Sequence, residues 1–245
     1  MKLSKHCYCL TGLCHSDCFS VNAGFITGMS ETIIIDSGFN IESAQTIYHY
    51  AKTAAPDNEI TTLINLERHY DHIFGNGYFI NKGVKVIAHE KVKLTEEEIA
   101  EFKHKSNEEI VFERRKRNKE AYIFFDNVKA FEPDVRISED TDFEIDGLKI
   151  KIILAPGHTI TNLMVYVEKD RVLYAGDTIY AEYLPTLRFG NEKLWNEWLT
   201  TLDTIERLKT EILAPGHGKI LEKEEIQREI NRHREILKKR ITVRR

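Results

Sequence analysis

LINLERHYDH, residues 63–72, is the stretch on which the fold of this chain depends. Its first half is largely apolar, and its second half contains Glu67, His69, Asp71 and His72. Alternation along an extended segment places Glu67, His69 and Asp71 on one side, and a turn or helix start at Asp71 brings His72 to the same cavity. Carboxylates and imidazoles this close together are costly to bury unless something binds them. The stretch therefore predicts a site for a divalent cation such as zinc, iron or manganese.

Three later apolar runs end in a similar way. Each closes with a glycine, and the residues that follow are His158, Asp177 and His217. The hexapeptide ILAPGH occurs twice, ending at His158 and at His217. Each run is typical of a buried strand stopped by a glycine turn. Because α/β folds build sites from side chains at the ends of buried strands, we expect these residues to join the cluster at 67–72.

The order of these motifs resembles that of the metallo-β-lactamase-fold hydrolase superfamily. The resemblance extends over roughly residues 22–221. The matching motifs are Glu67-x-His69-x-Asp71-His72, Gly157-His158-Thr159, Gly176-Asp177-Thr178 and Gly216-His217-Gly218. The superfamily usually begins the first motif with histidine, so Glu67 departs from its pattern.

The resemblance implies an α/β fold, a four-layer α-β-β-α sandwich of two mixed sheets with outer helices. Apolar residues at helical spacing predict helices at 41–54, 194–208 and 224–239. We expect a single domain over residues 1–245, because the ligand motifs come from both halves of the chain. A charged helical insertion is predicted at about 94–120, where Thr95-Glu96-Glu97-Glu98 forms a capping-box pattern.

The resemblance also implies two sets of three metal ligands and one bridging carboxylate. The first set is Glu67, His69 and His158; the second is Asp71, His72 and His217; the bridge is Asp177. Asp71 has a further expected role in catalysis, where it orients a metal-activated hydroxide or carries its proton. Asp36, which ends the strand at 31–35, is expected to support a ligand by a hydrogen bond, or to act as a turn former.

Glu67 bears on the number and kind of metal ions. The expected cofactor is zinc, as two ions, with iron or manganese as alternatives. A carboxylate in place of an imidazole adds negative charge, which favours a harder ion. Two other outcomes remain open at this stage: one ion, held by the second set with Asp177, or no ion.

Length and composition limit the classes of protein. The chain has 245 residues, 42% of them hydrophobic and 30% charged, with a formal net charge of −4, as expected for a globular domain. This mild charge favours a small-molecule substrate over nucleic acid or a membrane as the partner. No apolar run approaches the ~20 residues of a membrane span, and the N-terminus lacks a signal-peptide pattern, so a cytoplasmic location is expected. The oligomeric state is left open.

The four cysteines lie together near the N-terminus. They are Cys7, Cys9, Cys14 and Cys18. Their spacing lacks the Cys-x2-Cys pairs of zinc knuckles, so reduced thiols on a strand are the leading interpretation. A structural metal site and a redox or disulfide role are the alternatives.

The leading functional hypothesis is hydrolysis of a small ester, thioester, lactone or amide, β-lactams included. Tyr70, Tyr180, Tyr183 and Arg188 are candidates for reaching the substrate, although a packing or surface role is the leading interpretation for each of them. The alternatives are a di-iron oxidoreductase, a phosphodiesterase or nuclease, and a non-catalytic metal-binding protein.

Overall fold

The apolar runs of the sequence form two six-stranded sheets in a computed structural model of the chain, which describes residues 1–16, 19–109 and 124–243. In the first sheet the strands lie in chain order, and they are β1 Cys7–Ser16, β2 Phe19–Thr27, β3 Glu31–Ile35, β4 Glu59–Ile64, β5 Lys85–His89 and β6 Val135–Ile137. The strands are antiparallel from β1 to β3 and parallel from β3 to β6. The carboxyl ends of β3, β4 and β5 therefore share one edge.

The second sheet has the strand order β12-β11-β10-β9-β8-β7. Its strands are β7 Thr141–Ile145, β8 Leu148–Leu154, β9 Leu163–Val167, β10 Val172–Tyr180, β11 Ile212–His217 and β12 Leu221–Glu222. β10 and β11 run parallel, while the other neighbouring pairs are antiparallel. This parallel pair brings Asp177 and His217 to the same end of the sheet.

Helices cover the outer faces of both sheets. They are α1 Ile41–Ala54, α2 Tyr70–Ile73, α3 Asn76–Ile80, α4 Glu96–Glu109, α5 Glu192–Arg207 and α6 Glu224–Val243. Asn40 and Asn191 cap α1 and α5, because each side chain accepts a hydrogen bond from a backbone amide three residues later. The apolar face of α5 carries Trp195 and Trp198, both buried against the second sheet.

Three apolar clusters fill the spaces between these layers. One lies between the sheets and includes Ile33, Ile150 and Val165. The others lie between each sheet and its helices. The predicted four-layer α-β-β-α sandwich is thereby confirmed.

Cys7 and Cys9 belong to the layer between the sheets and are both free thiols. Burial raises the pKa of each thiol to about 12, so both remain protonated at neutral pH. This agrees with the interpretation of these two as reduced thiols on a strand. The side chain of Cys14 and all of Cys18 lie outside the described residues.

Some boundaries differ from the sequence predictions. β1 continues through Thr11-Gly12, a pair typical of strand breaks, with a shift in register, and Gly12 has a φ of +77°. β4 ends at Ile64, so Glu67 lies in the loop after the strand. The predicted insertion begins as α4 and is helical as far as Glu109; residues 110–123 lie outside the described part of the chain.

Within the described residues, the helices are too short or too polar to span a lipid bilayer.

Tyr174 joins the two sheets and provides a test of the sandwich. From β10, its hydroxyl lies 2.9 Å from the Tyr8 carbonyl oxygen and 3.2 Å from that of Phe25, and it accepts a hydrogen bond from the Tyr8 amide. We expect Tyr174→Phe to lower the free energy of unfolding by about 1–3 kcal/mol, because buried backbone groups lose their partner. Urea denaturation measures this loss. The control is Tyr166→Phe, on the outer face of the same sheet, for which we expect a change within about 0.5 kcal/mol. Equal losses of stability in the two variants would show that the hydrogen bonds of Tyr174 do not stabilise the packing of the two sheets.

Candidate metal centre

The site lies where the carboxyl ends of β3 and β4 meet those of β10 and β11. Asp36 follows β3 and adopts a φ of +59°, and its Oδ1 accepts a hydrogen bond of 2.8 Å from the Leu66 amide. This contact fixes the loop after β4 that carries Glu67. His69 is then the N-cap of α2, so the chain turns into a helix before Asp71 and His72. The predicted helix start is present, but alternation along an extended segment ends at His69.

The first group of ligand-type side chains is Glu67, His69 and His158. His69 Nδ1 lies 3.1 Å from His158 Nε2 and in direct contact with Glu67 Oε1. Glu67 and His158 are buried, while the His69 side chain is 20% exposed. The donor atoms of these three residues therefore converge on one point near the surface.

The second group is Asp71, His72 and His217. Asp71 Oδ2 lies 3.4 Å from His217 Nε2 and 3.7 Å from His72 Nε2. All three side chains are buried. This group lies deeper than the first.

Asp177 lies between the two groups and contacts both. Its Oδ1 is 3.1 Å from the Nε2 atoms of His72 and His217, and its Oδ2 is 3.3 Å from His158 Nε2. The Tyr180 hydroxyl donates a hydrogen bond of 2.6 Å to the same Oδ2. One carboxylate therefore faces both groups, as a bridging ligand must.

Three of the imidazoles contact an oxygen acceptor through Nδ1, the ring nitrogen on the side away from the centre. The Nδ1 atom of His72 lies 2.8 Å from Asp36 Oδ2, that of His158 lies 2.9 Å from the Thr186 carbonyl, and that of His217 lies 2.5 Å from the Ser20 carbonyl. Each of these contacts places the ring proton on Nδ1 and leaves Nε2 as the lone-pair atom facing the centre. Outer acceptors of this kind are usual for metal-binding histidines.

The donor set fits a pair of divalent cations. Lone-pair nitrogens and carboxylate oxygens point towards each other at 3–4 Å, an arrangement that is repulsive unless cations or protons lie between them. Imidazole and carboxylate donors are typical of zinc, iron and manganese sites.

In the metal-free protein, protons provide part of this compensation. Burial lowers the pKa of His72, but Asp177, Asp36 and Asp71 outweigh it and raise the pKa well above 6.5. Burial also lowers the pKa of His69 and of His217, but the neighbouring carboxylates outweigh it. The net effect is that the pKa of each histidine is raised.

The carboxylates of the site shift in the opposite direction. Burial raises the pKa of Asp177, but His217 and His72 together hold it well below its usual value. Burial also raises the pKa of Glu67, but His69 and His158 lower it to about 2. Both carboxylates are therefore ionised at neutral pH.

Of the four candidates for substrate contact, Tyr180 reaches the metal centre. Its hydroxyl contacts His158 and Asp177. Tyr70 is half-buried and packs on Phe102, with ring centroids 4.3 Å apart. Tyr183 is 43% exposed, and the Arg188 guanidinium lies over the Phe189 ring, 4.6 Å from its centroid. His89 accepts a hydrogen bond from the Lys91 amide and lies outside both groups.

Two contacts of the site were missed by the sequence interpretation. The Thr159 hydroxyl lies 2.8 Å from Glu67 Oε2, and the Phe189 ring packs on His69 with centroids 4.2 Å apart. The polar run that follows His158 was a signal for the first contact, since Thr159, Thr161 and Asn162 are all buried. Nothing local in the sequence marks Phe189, because it reaches His69 from a separate loop.

The chain belongs to the metallo-beta-lactamase superfamily, whose family model matches residues 16–217. The fold agrees with that of a metallo-beta-lactamase from Pontibacter korlensis, at a TM-score of 0.69 and 17% identity, with 96% of this chain and 97% of that chain covered. At this identity the similarity concerns the fold alone. Members of the superfamily are mostly metal-dependent hydrolases, and the fold binds divalent metals, often two.

Two curated relatives match parts of the chain. A beta-lactamase-like protein 2 homolog from Caenorhabditis elegans is 33% identical over 107 residues, which are 40% of this chain and 35% of the relative. An atrochrysone carboxyl ACP thioesterase from Aspergillus fumigatus is 27% identical over 92 residues, 37% of this chain and 28% of the relative. The chain therefore matches about a third of the length of these relatives.

The pKa shifts predict that metal binding releases protons. A raised folded pKa means that the imidazolium–carboxylate contacts stabilise the metal-free protein fully below pH 6.5 and are lost as the pH rises through the raised values. We therefore expect the stability of the metal-free protein to fall, and its metal affinity to rise, as the pH increases above 6.5.

Calorimetric titration in two buffers of different ionisation enthalpy measures the release. We expect about one or more protons per ion at neutral pH. The variant His89→Gln is the control and should release the same number. Binding heats that do not depend on the buffer would show that the site histidines are already neutral.

Proposed function

We propose that this protein is a two-metal hydrolase that cleaves acyl bonds of small molecules, with thioesters and esters as the preferred class. The observation that carries the proposal is the position of Asp177, with one oxygen on the second ligand group and the other on the first. The partial match to a thioesterase supports the choice of acyl substrates. Lactones, amides and β-lactams belong to the same class of reaction.

Glu67, His69 and His158 would hold one divalent cation, Asp71, His72 and His217 the other, and Asp177 both. When bound, the cations supply Lewis acidity, which lowers the pKa of water and polarises a carbonyl oxygen. Zinc is one ion that suits such donors, together with iron and manganese.

The protein's own groups then have separate roles. A carboxylate oxygen of Asp71 would accept the proton that the attacking water loses. The Tyr180 hydroxyl holds Asp177 by its 2.6 Å hydrogen bond, and the ring stacks on His217 with centroids 5.0 Å apart. Tyr180 therefore fixes the carboxylate that both groups share.

Two grooves open on either side of His69 and Phe189. One has a volume of about 420 Å³ and is lined by the aromatic side chains Tyr70, Phe74 and Phe102 and by charged side chains such as Arg68 and Glu98. The other has a volume of about 430 Å³ and is lined by residues such as Ile160. Both sizes suit a small organic ligand. We propose that the substrate lies across Phe189, with its acyl part against the aromatic side chains of the first groove.

The reaction class is tested with metal-loaded enzyme and a panel of chromogenic thioester, ester, lactone, β-lactam and phosphodiester substrates. We expect the highest kcat/KM for an acyl substrate. Asp71→Asn should lower kcat/KM by about 10²–10⁴-fold, because the proton acceptor is lost. The control His89→Gln should retain full activity.

The other outcomes of the panel identify the alternatives. Turnover of phosphodiesters in preference to acyl substrates would replace the proposal with a phosphodiesterase. Oxygen consumption by iron-loaded protein would indicate an oxidoreductase. Bound metal without turnover of any member of the panel would favour a non-catalytic metal-binding protein.

Phe189 provides a test of the substrate's position. The ring is 45% exposed and lies at the entrance beside His69. We expect Phe189→Ala to raise KM for a long-chain acyl thioester by about 10-fold, as about 1–2 kcal/mol of apolar contact is lost, and to leave KM for the acetyl analogue nearly unchanged. Equal changes for the two substrates would exclude an acyl chain from this position.

A further inference from the structure

We propose that Glu67, held in place by the hydroxyl of Thr159, shifts the metal preference of the first group away from zinc and towards manganese or iron(II). The inference concerns metal binding and does not depend on which reaction the protein catalyses. Thr159 acts here as a positioning residue, since it touches the ligand and not the ion.

The two groups have the same donor composition. Each contains one carboxylate and two imidazoles: Glu67 with His69 and His158, and Asp71 with His72 and His217. Two histidines and one carboxylate are the set that typically binds iron(II) with open positions. A group of three histidines, by contrast, is well suited to zinc. Glu67 is the residue that makes the first group resemble the second.

The surroundings of Glu67 are built for a carboxylate. The side chain is fully buried, and its Oε1 accepts a hydrogen bond of 2.9 Å from the His69 amide. Its Oε2 lies 2.8 Å from the Thr159 hydroxyl oxygen. Both oxygens therefore have donors, which is the condition under which a buried carboxylate remains ionised.

The Thr159 hydroxyl proton can be assigned to Glu67. Three oxygens lie within reach of Thr159 Oγ1: Glu67 Oε2 at 2.8 Å, Thr161 Oγ1 at 2.9 Å and Asn162 Oδ1 at 2.9 Å. Asn162 Oδ1 already accepts the Thr159 amide at 2.6 Å, and the Thr161 amide donates to Thr159 Oγ1. The carboxylate is also the strongest acceptor of the three, because it is charged.

This bond orients the two oxygens of Glu67 differently. Oε2 is turned towards Thr159, so Oε1 is the oxygen that faces His69. The carboxylate would then bind an ion through one oxygen, beside the two histidine nitrogens. Loss of such a supporting contact typically costs 10–100-fold in metal affinity.

The negative charge that Glu67 adds to the centre also favours a harder ion. Glu67, Asp71 and Asp177 give three carboxylates, whereas histidine at position 67 would leave two. Oxygen-rich, more negative sites suit hard ions such as manganese, while zinc gains more from an additional imidazole. Zinc still binds more tightly in absolute terms, since the affinities of divalent ions rise from manganese to zinc for most sites. The proposal therefore concerns the ratio of the two affinities.

The test is competitive titration of metal-free protein with Mn(II) and Zn(II), with free Mn(II) followed by electron paramagnetic resonance and zinc by a chromophoric chelator. For Glu67→His we expect the ratio of the Mn(II) to the Zn(II) dissociation constant at the first site to increase about 10-fold or more. The constants of the second site should change by less than about 3-fold. A ratio that is unchanged by Glu67→His would overturn the proposal.

Thr159 is tested independently by a matched pair of variants. Thr159→Val keeps the shape but removes the hydroxyl, and we expect Mn(II) affinity at the first site to fall about 10–100-fold. Thr159→Ser retains the hydroxyl and should remain within about 3-fold of the wild type. Thr62→Val, at another buried threonine on β4, controls for the loss of a hydroxyl in general.

These variants also separate failed folding from a failed proposal. Circular dichroism and the constants of the second site show whether each variant is folded. Tight Mn(II) binding by folded Thr159→Val would show that Thr159 does not position Glu67. Because every readout is a metal affinity, the result is independent of the hydrolase assignment.

Discussion

The structure depends on the mutual compensation of charges in one small buried volume. Four carboxylates and four imidazoles converge there. Two of the carboxylates and all four imidazoles form the two ligand groups, Asp177 lies between these groups, and Asp36 supports His72 from outside them. Each group alone would be costly to bury. Together the carboxylates and imidazoles cost less free energy to bury, because protons or cations can lie between them. The pKa of Asp177 and that of His72 move apart for this reason, one well below and the other well above its usual value.

The two sheets supply the rigidity that this arrangement requires. Asp36 and Tyr180, one from each half of the fold, hold His72 and Asp177 by hydrogen bonds of 2.8 and 2.6 Å. Asn22 crosses between the sheets and donates to the Pro215 and Gly218 carbonyls, on both sides of His217. Side chains that are held from behind in this way cannot relax away from each other, so an ion meets a preformed site. The exposed edge of His69 leaves the centre accessible from one side.

Much of this centre was predictable from the sequence because its ligands follow a pattern that is local at each position. An apolar run, a glycine and a histidine or aspartate recur at His158, Asp177 and His217, and the parallel strands β10 and β11 then bring two of them together. The role of Thr159 was missed, since its importance depends on Glu67, which is 92 residues away in the chain. The continuity of β1 through Gly12 has no local signal in the sequence, because a glycine at a positive φ serves a bulge as well as a turn.

The sequence by itself determined the family and the set of residues that can bind metal, because these follow from motifs within a few residues of each other, and the fold class followed from the resemblance of those motifs to the family. The resemblance also implied how those residues divide into two groups and a bridge, and only the tertiary structure decided the distances and contacts by which they meet. It placed Glu67 with His69 and His158, turned α2 so that Asp71 and His72 face His217, and set Asp177 between the groups. It also showed that Thr159 holds Glu67 and that Phe189 covers His69. Such contacts join segments far apart in the chain, and their distances depend on how the two sheets pack rather than on any local pattern.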